Sequence, residues 1–202
     1  MDVKRRQADR SEATRAALLA AARALFAKRG YASVSTEEIV QRAGVTRGAL
    51  YHHFEDKKDL FRAVYEEVEQ ELVEQIAAGA MAAADPMEAL RGGARSWLDA
   101  CENPAVQRIA LLDAPSVLGW EEWREIGMKY GFGLVEATLQ AAIDAGQLEP
   151  QPVRPLAHLV LGAIDEAGMV VARADDGGAT RREVGDSVER FLDHLRPREG
   201  RT

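Results

Sequence analysis

Residues 36–57 carry a concentration of side chains that could contact DNA. Arginine and histidine can donate hydrogen bonds to base acceptors, and a tyrosine hydroxyl suits a phosphate oxygen. Threonine hydroxyls and free backbone N–H groups at helix N-termini also suit phosphates. A glycine in the same stretch would let the backbone approach the duplex closely. The candidate DNA-binding residues are Thr36, Thr46, Arg47, Gly48, Tyr51, His52 and Lys57.

Three short helices are predicted to position these residues. The first covers residues 14–29 and is closed by Gly30, a left-handed cap. Residues 35–38, Ser-Thr-Glu-Glu, have the form of a capping box that opens a second helix. Gly44 then supplies a tight turn, and residues 46–54 form a third helix capped by its threonine. This spacing predicts a helix-turn-helix whose last helix is small enough to lie in a major groove.

The motifs of this segment also resemble a known family. Residues 14–26 read TRAALLAAARALF, residues 35–40 read STEEIV and residues 43–54 read AGVTRGALYHHF, with Lys57 and Leu60 following. Residues 11–62 thereby resemble the DNA-binding domain of TetR/AcrR-family transcriptional regulators. The resemblance implies a homodimeric repressor that binds a palindromic operator, with the seven candidates as DNA contacts, and that a small ligand releases. His53 matches a common histidine of the family that could approach the DNA backbone or pack inside the domain.

The distribution of charge favours a polyanionic partner for the first part of the chain. The net charge is −7, but residues 1–62 hold 13 Lys and Arg against 8 Asp and Glu, a balance of +5. The remaining residues hold 13 against 25, a balance of −12. Such an asymmetry indicates separate tasks for the two parts. A solvated basic end is the simpler alternative.

The whole chain is predicted to be all-α, with about nine helices. Apolar residues recur at spacings of three and four, and the β-branched alternation typical of strands is nearly absent. A three-helix helix-turn-helix domain would be followed by a helical ligand-binding and dimerisation domain. The predicted division is a flexible basic arm (1–10), the DNA-binding domain (11–62), the effector and dimerisation domain (63–196) and a flexible tail (197–202).

The helix predicted over residues 155–173 is apolar on nearly its whole circumference. Such a helix needs two packing partners, and the second could be another subunit. Gly162 and Gly168 would permit close approach, and the last helix offers a matching apolar stripe. The result would be an intersubunit four-helix bundle. The predicted dimer-interface residues are Leu156, Val160, Ala163, Ala167, Val188, Phe191, Leu192 and Leu195.

A group of aromatic and sulfur-containing residues in the middle of the chain predicts an effector pocket. Aromatic residues make up only 6% of the sequence, and an apolar pocket suits a hydrophobic or aromatic small molecule. Core packing is the alternative for each of them. Asp113 and Arg124 are possible polar partners. The predicted ligand-binding residues are Trp97, Cys101, Trp120, Trp123, Met128, Phe132 and His158.

Several function classes find no support in the sequence. It contains no Gly-x-Ser-x-Gly elbow, His-Glu-x-x-His motif, phosphate-binding glycine loop or dinucleotide fingerprint, so an enzyme is not expected. One cysteine and scattered histidines predict neither a metal site nor a cofactor. No signal segment is recognised, and a cytoplasmic protein without membrane partners is expected. The expected partners are operator DNA, an unidentified effector and a second copy. The alternative is a helical protein that sequesters a small molecule without regulatory DNA binding.

Overall fold

The computed structural model describes residues 2–81 and 83–196, which form nine helices and no strand. The all-α prediction with about nine helices is confirmed. One helix contains a π-helical stretch between two α-helical turns. The helices are α1 (Asp2–Arg29), α2 (Thr36–Ala43), α3 (Arg47–His53), α4 (Lys57–Ala80), α5 (Pro86–Ala100), α6 (Pro104–Val106, the π-helical segment Gln107–Asp113 and Ala114–Leu118 in succession), α7 (Trp120–Asp144), α8 (Val153–Ala172) and α9 (Gly177–Asp193).

The start of α1 differs from the prediction. The structure includes residues 2–10 in this helix, where the sequence predicted a flexible basic arm. No proline or glycine interrupts residues 2–29, and most of the added residues are good helix formers. The apolar periodicity used to place the helix starts only near Thr14. The tail predicted over residues 197–202 lies outside the described residues.

Contacts divide the chain into two compact units, and the division does not follow the predicted boundary after residue 62. The first unit contains the described residues up to Val68 together with Arg108–Trp123. The second contains Glu69–Gln107 and the described residues from Arg124 onward. Most of α6 and the start of α7 therefore pack with the candidate DNA-binding helices, although the sequence predicted them in the effector domain.

The first unit has an aromatic core. The ring centroid of Phe26 lies 5.7 Å from that of Tyr31 and 5.3 Å from that of Phe61. Leu18, Phe26 and Phe61 have no exposed surface. The helices around this core include α2 and α3, and these begin with the capping residues predicted from the sequence. Ser35 and Glu38 form both hydrogen bonds of a capping box at the start of α2.

The second unit is built around α5, α8 and α9. Eight residues of α8 are buried, among them Val160 and Val171 with no exposed surface. By length and composition α8 could also cross a membrane, but 44% of its apolar stretch is buried within the protein. A central core helix has the same composition, so α8 is accounted for by the packing of this unit.

Candidate nucleic-acid interface

The solvent-facing side of α3 presents several of the predicted DNA contacts. Thr46 caps the helix by accepting a hydrogen bond from the Ala49 N–H at 3.2 Å. Leu50, on the opposite side of α3, is completely buried and fixes the helix to its unit. The exposed side therefore has a defined orientation relative to α1 and α2. Its exposed residues are Thr46, Arg47, Gly48, Tyr51 and His52.

Arg47, Tyr51 and Thr36 form one connected group on this face. Arg47 Nη2 donates to Tyr51 Oη at 3.5 Å, and its guanidinium carbon lies 5.5 Å from the centre of the tyrosine ring. Hydrogen bonds from Arg47 and then from Thr36 lower the pKa of Tyr51. Arg47 and Tyr51 are one helical turn apart, whereas Thr36 begins α2. Residues at the N-termini of both α2 and α3 therefore act on the Tyr51 hydroxyl.

A second group of basic residues lies at the C-terminal end of α3. The ring centroids of His52 and His53 are 5.2 Å apart, and the guanidinium of Arg15 from α1 lies 5.3 Å from the centre of the Phe54 ring. Burial lowers the pKa of His53, and the neighbouring His52 and Arg15 lower it further. The sequence analysis missed Arg15, because a basic residue on an exposed helix gives no local signal of its tertiary neighbours.

Lys57 occupies a different environment from the one predicted. Its Nζ donates to the carbonyl oxygens of Tyr31 at 3.1 Å and Val34 at 2.9 Å, and it lies 4.0 Å from the centre of the Tyr31 ring. Burial lowers the pKa of this ammonium group. The structure therefore gives Lys57 a role in holding the turn between α1 and α2, which the prediction of a phosphate contact did not include.

The predicted effector residues are divided between the two units. Trp120 and Trp123 belong to the first unit, where their ring centroids are 4.9 Å apart and Trp123 Nε1 donates to the Ala110 carbonyl at 2.9 Å. The other five belong to the second unit, where they are Trp97, Cys101, Met128, Phe132 and His158. The suggested polar partners are likewise divided, since Asp113 belongs to the first unit and Arg124 to the second.

Within the second unit, the predicted effector residues have mainly internal contacts. Trp97 Nε1 donates to the Ile164 carbonyl at 3.1 Å, and the ring centroids of Phe132 and His158 are 4.6 Å apart. Burial raises the pKa of the Cys101 thiol to about 12, which disfavours a nucleophilic thiolate. In the described part of the chain, no three His, Cys, Asp or Glu residues are grouped to hold a metal ion.

Two of the predicted dimer-interface residues are core residues of their own unit. Val160 and Leu192 have no exposed surface, so they are not available to a second subunit. Leu156, Ala167 and Val188 are also buried, and Leu195 is half-buried. Helical periodicity predicted an apolar face but not which neighbour covers it.

The exposed apolar surface on α8 and α9 includes two of the predicted interface residues, Ala163 and Phe191, and adds Val170 and Val184. Ala163 is exposed, and Val170 and Phe191 are 44% and 38% exposed. These three side chains line a groove of about 400 Å³ between the two helices, together with Val184. The residues that could meet another protein on this face are therefore Ala163, Val170, Val184 and Phe191.

Two family models match most of the chain. The model described as bacterial regulatory proteins of the tetR family matches residues 18–64, and the model of the tetracyclin repressor-like C-terminal domain matches residues 87–195. The first match covers α2, α3 and the exposed face built on them.

Similar proteins cover both units. The transposon Tn10 TetC protein of Escherichia coli is 30% identical over 80% of this chain and 82% of its own length. The HTH-type transcriptional regulator AcrR of Shigella flexneri is 40% identical, over 43% of this chain and 41% of its own length. A solved TetR-family transcriptional regulator from Pectobacterium atrosepticum has 34% identity and a TM-score of 0.84, covering 94% of this chain and 97% of that one.

Proposed function

Because the chain belongs to the TetR family of bacterial regulatory proteins, we propose that it is a homodimeric repressor of a palindromic operator. A small hydrophobic or aromatic effector releases it from the DNA. Its family membership makes it a DNA-binding transcriptional regulator and not an enzyme. The proposed location is the cytoplasm, where a regulator of this kind has access to the DNA.

The arrangement of Thr36, Arg47 and Tyr51 is the observation that carries this proposal. A tyrosine hydroxyl held between an arginine and the N-terminus of a helix suits a phosphate oxygen. The arginine beside it can reach base acceptors from the same helix. Because the two side chains already contact each other, less side-chain freedom would be lost on contact with DNA.

The twofold symmetry of the dimer would explain the choice of a palindromic operator, and coupling between effector binding and DNA binding would explain release from it. A twofold dimer presents two such helices to half-sites about 34 Å apart, which is one turn of the duplex. An effector must bind better to an arrangement that does not fit both half-sites. A hundredfold weakening of DNA binding requires about 2.7 kcal/mol of coupling free energy.

Selection of bound duplexes from a random pool, followed by fluorescence anisotropy at several salt concentrations, tests the DNA-binding role. Tyr51→Phe should weaken binding to all sequences by roughly five- to tenfold, because it removes one hydrogen bond to a phosphate. Arg47→Ala should reduce the preference for the selected sequence by about 1–3 kcal/mol.

Arg182→Ala is the matched control, since it removes the same charge from an exposed position of the second unit. It should leave both the affinity and the preference unchanged. Unchanged affinity in Tyr51→Phe and Arg47→Ala would contradict the proposed interface. If no duplex is selected and a small apolar molecule still binds tightly, the protein is a sequestering protein instead.

A further inference from the structure

The turn between α1 and α2 is held from two sides by side chains of other helices. Asp113 of α6 accepts a hydrogen bond from the Tyr31 N–H at 2.6 Å. Lys57 of α4 donates to the Tyr31 and Val34 carbonyl oxygens. The backbone N–H and C=O of Tyr31 therefore both form hydrogen bonds with charged side chains that are distant in sequence.

The helix α6 also packs directly against the backbone of this turn. Gly30 has a φ of 77°, which favours glycine, and a Cβ there would lie 3.3 Å from Asp113 Oδ2 and 3.4 Å from Arg108 Cδ. Asp113 ends the π-helical segment, and π-helical winding often marks functional positions. Trp123 Nε1 binds the Ala110 carbonyl within this segment, which helps to anchor it.

The same turn leads directly to the candidate DNA-binding face. Val34, whose carbonyl oxygen binds Lys57, precedes the Ser35 cap of α2. The next residue is Thr36, whose side chain lowers the pKa of Tyr51. Since only five positions separate Tyr31 from Thr36, a displacement of the Tyr31 peptide would shift the start of α2 and the support of Tyr51.

We infer that Asp113 is a positioning residue for DNA binding. Its carboxylate fixes the Tyr31 peptide, and the fixed turn holds Thr36 and Tyr51 in the arrangement that meets a phosphate. Asp113 itself acts through Tyr51 and does not touch the DNA. This inference rests on the proposed DNA-binding function and adds a residue outside the helix-turn-helix to it.

Two substitutions of Asp113 separate its hydrogen bond from its charge. Asp113→Ala removes the acceptor of the Tyr31 N–H, and it should weaken operator binding about five- to tenfold. It should also speed hydrogen exchange of the Tyr31 amide. Asp113→Asn keeps an acceptor oxygen, so both values should stay within about twofold of the wild type. Thermal unfolding followed by circular dichroism identifies a temperature at which every variant is folded.

A double-mutant cycle with Tyr51→Phe distinguishes positioning from a general loss of structure. If Asp113 acts through Tyr51, the loss of affinity in the double variant should be smaller than the product of the losses in the two single variants. A merely structural effect would multiply with that of Tyr51→Phe. Glu122→Ala is the control, because Glu122 belongs to the same unit and pairs with Arg62 and Lys58 instead of the turn. Its operator affinity should equal that of the wild type.

The outcomes separate this inference from the proposed function. Operator binding by Asp113→Ala at wild-type affinity, or fully multiplicative losses in the cycle, would overturn the inference alone. Absence of operator binding by the wild type would instead reject the proposed function. If Asp113→Ala does not fold, Asp113→Ser serves in its place, since serine has a shorter side chain and lacks the carboxylate that binds the Tyr31 N–H. The same reduced affinity and the same non-multiplicative cycle are expected of it.

Discussion

Lys57 is a predicted DNA contact that the structure also places in the fold, and this affects how its substitution would be interpreted. Its ammonium group bridges the Tyr31 and Val34 carbonyl oxygens, and burial lowers its pKa. An ammonium group has three N–H donors, so the two carbonyl oxygens do not use all of them. A loss of DNA affinity in Lys57→Ala would therefore report a loosened turn as well as a missing positive charge.

Asp165 is expected to make the stability of the second unit depend on pH. Its carboxylate pairs with Arg124, yet burial raises its pKa to about 6. Because the pKa is higher in the folded state than in the unfolded state, protonation favours folding. The resulting contribution is fully present below about pH 4 and is lost as the pH rises to about 6. The loss is about 2–3 kcal/mol for a shift of this size.

Urea unfolding of the wild type and Asp165→Asn between pH 4 and pH 7.5 measures this contribution. Asparagine has a similar shape and does not titrate. The free energy of unfolding of the wild type, minus that of the variant, should fall between pH 4 and pH 6 and then level off. A difference that rises with pH over this interval would show that the ion pair with Arg124 outweighs burial.

At the scale of helices, Gly168 determines how closely α8 approaches α5. A Cβ at this position would lie 2.7 Å from Trp97 Nε1 and 2.9 Å from Cys101 Sγ. The sequence analysis assigned Gly168 to contact with a second subunit, whereas the structure places it against its own unit. Gly168→Ala should lower the free energy of unfolding by about 1–3 kcal/mol, because it overpacks this contact.

Gly127→Ala is the control for this prediction. Gly127 lies within α7, and a Cβ there meets nothing within 4 Å. Alanine should therefore stabilise this position by about 0.5–1 kcal/mol through helix propensity. Chemical denaturation of both variants gives the comparison. Equal stability of the two would show that α8 and α5 can separate without cost.

The helices that could be predicted from the sequence are those with local signals. Ser35, Gly44 and Thr46 place α2 and α3 correctly because capping depends on neighbours only a few residues away. The π-helical part of α6 has no such signal. Its Ala110 carbonyl binds Trp123, and its Asp113 binds a peptide 82 positions away in the sequence. Only the folded chain brings these groups together.

At the scale of the whole molecule, the chain order does not match the division into units. Residues 108–123 pack in the first unit, although the residues before and after them belong to the second. The sequence pattern cannot reveal this arrangement, because an apolar residue indicates burial without naming its partner. Trp120 and Trp97, both predicted as effector residues, accordingly belong to different units.

The proposed homodimer makes a prediction about the face formed by α8 and α9. Phe191 is 38% exposed beside a groove of about 400 Å³ that Val170 also lines. A charge placed there would have to be buried against the second copy, at a cost that a dimer of this kind does not tolerate. Phe191→Arg should therefore be monomeric in sedimentation velocity, while its circular dichroism stays helical.

Operator binding should weaken when the dimer is lost, because a monomer contacts one half-site at a time. Loss of the linked second contact should weaken binding to the full palindrome at least about a hundredfold. Binding to an isolated half-site should change little. Met81→Arg is the control, since Met81 is 89% exposed and does not line the groove. If Phe191→Arg remains dimeric and binds the palindrome with wild-type affinity, this face is not the subunit interface. If the variant is monomeric and still binds with full affinity, the two DNA-binding units of the dimer bind independently.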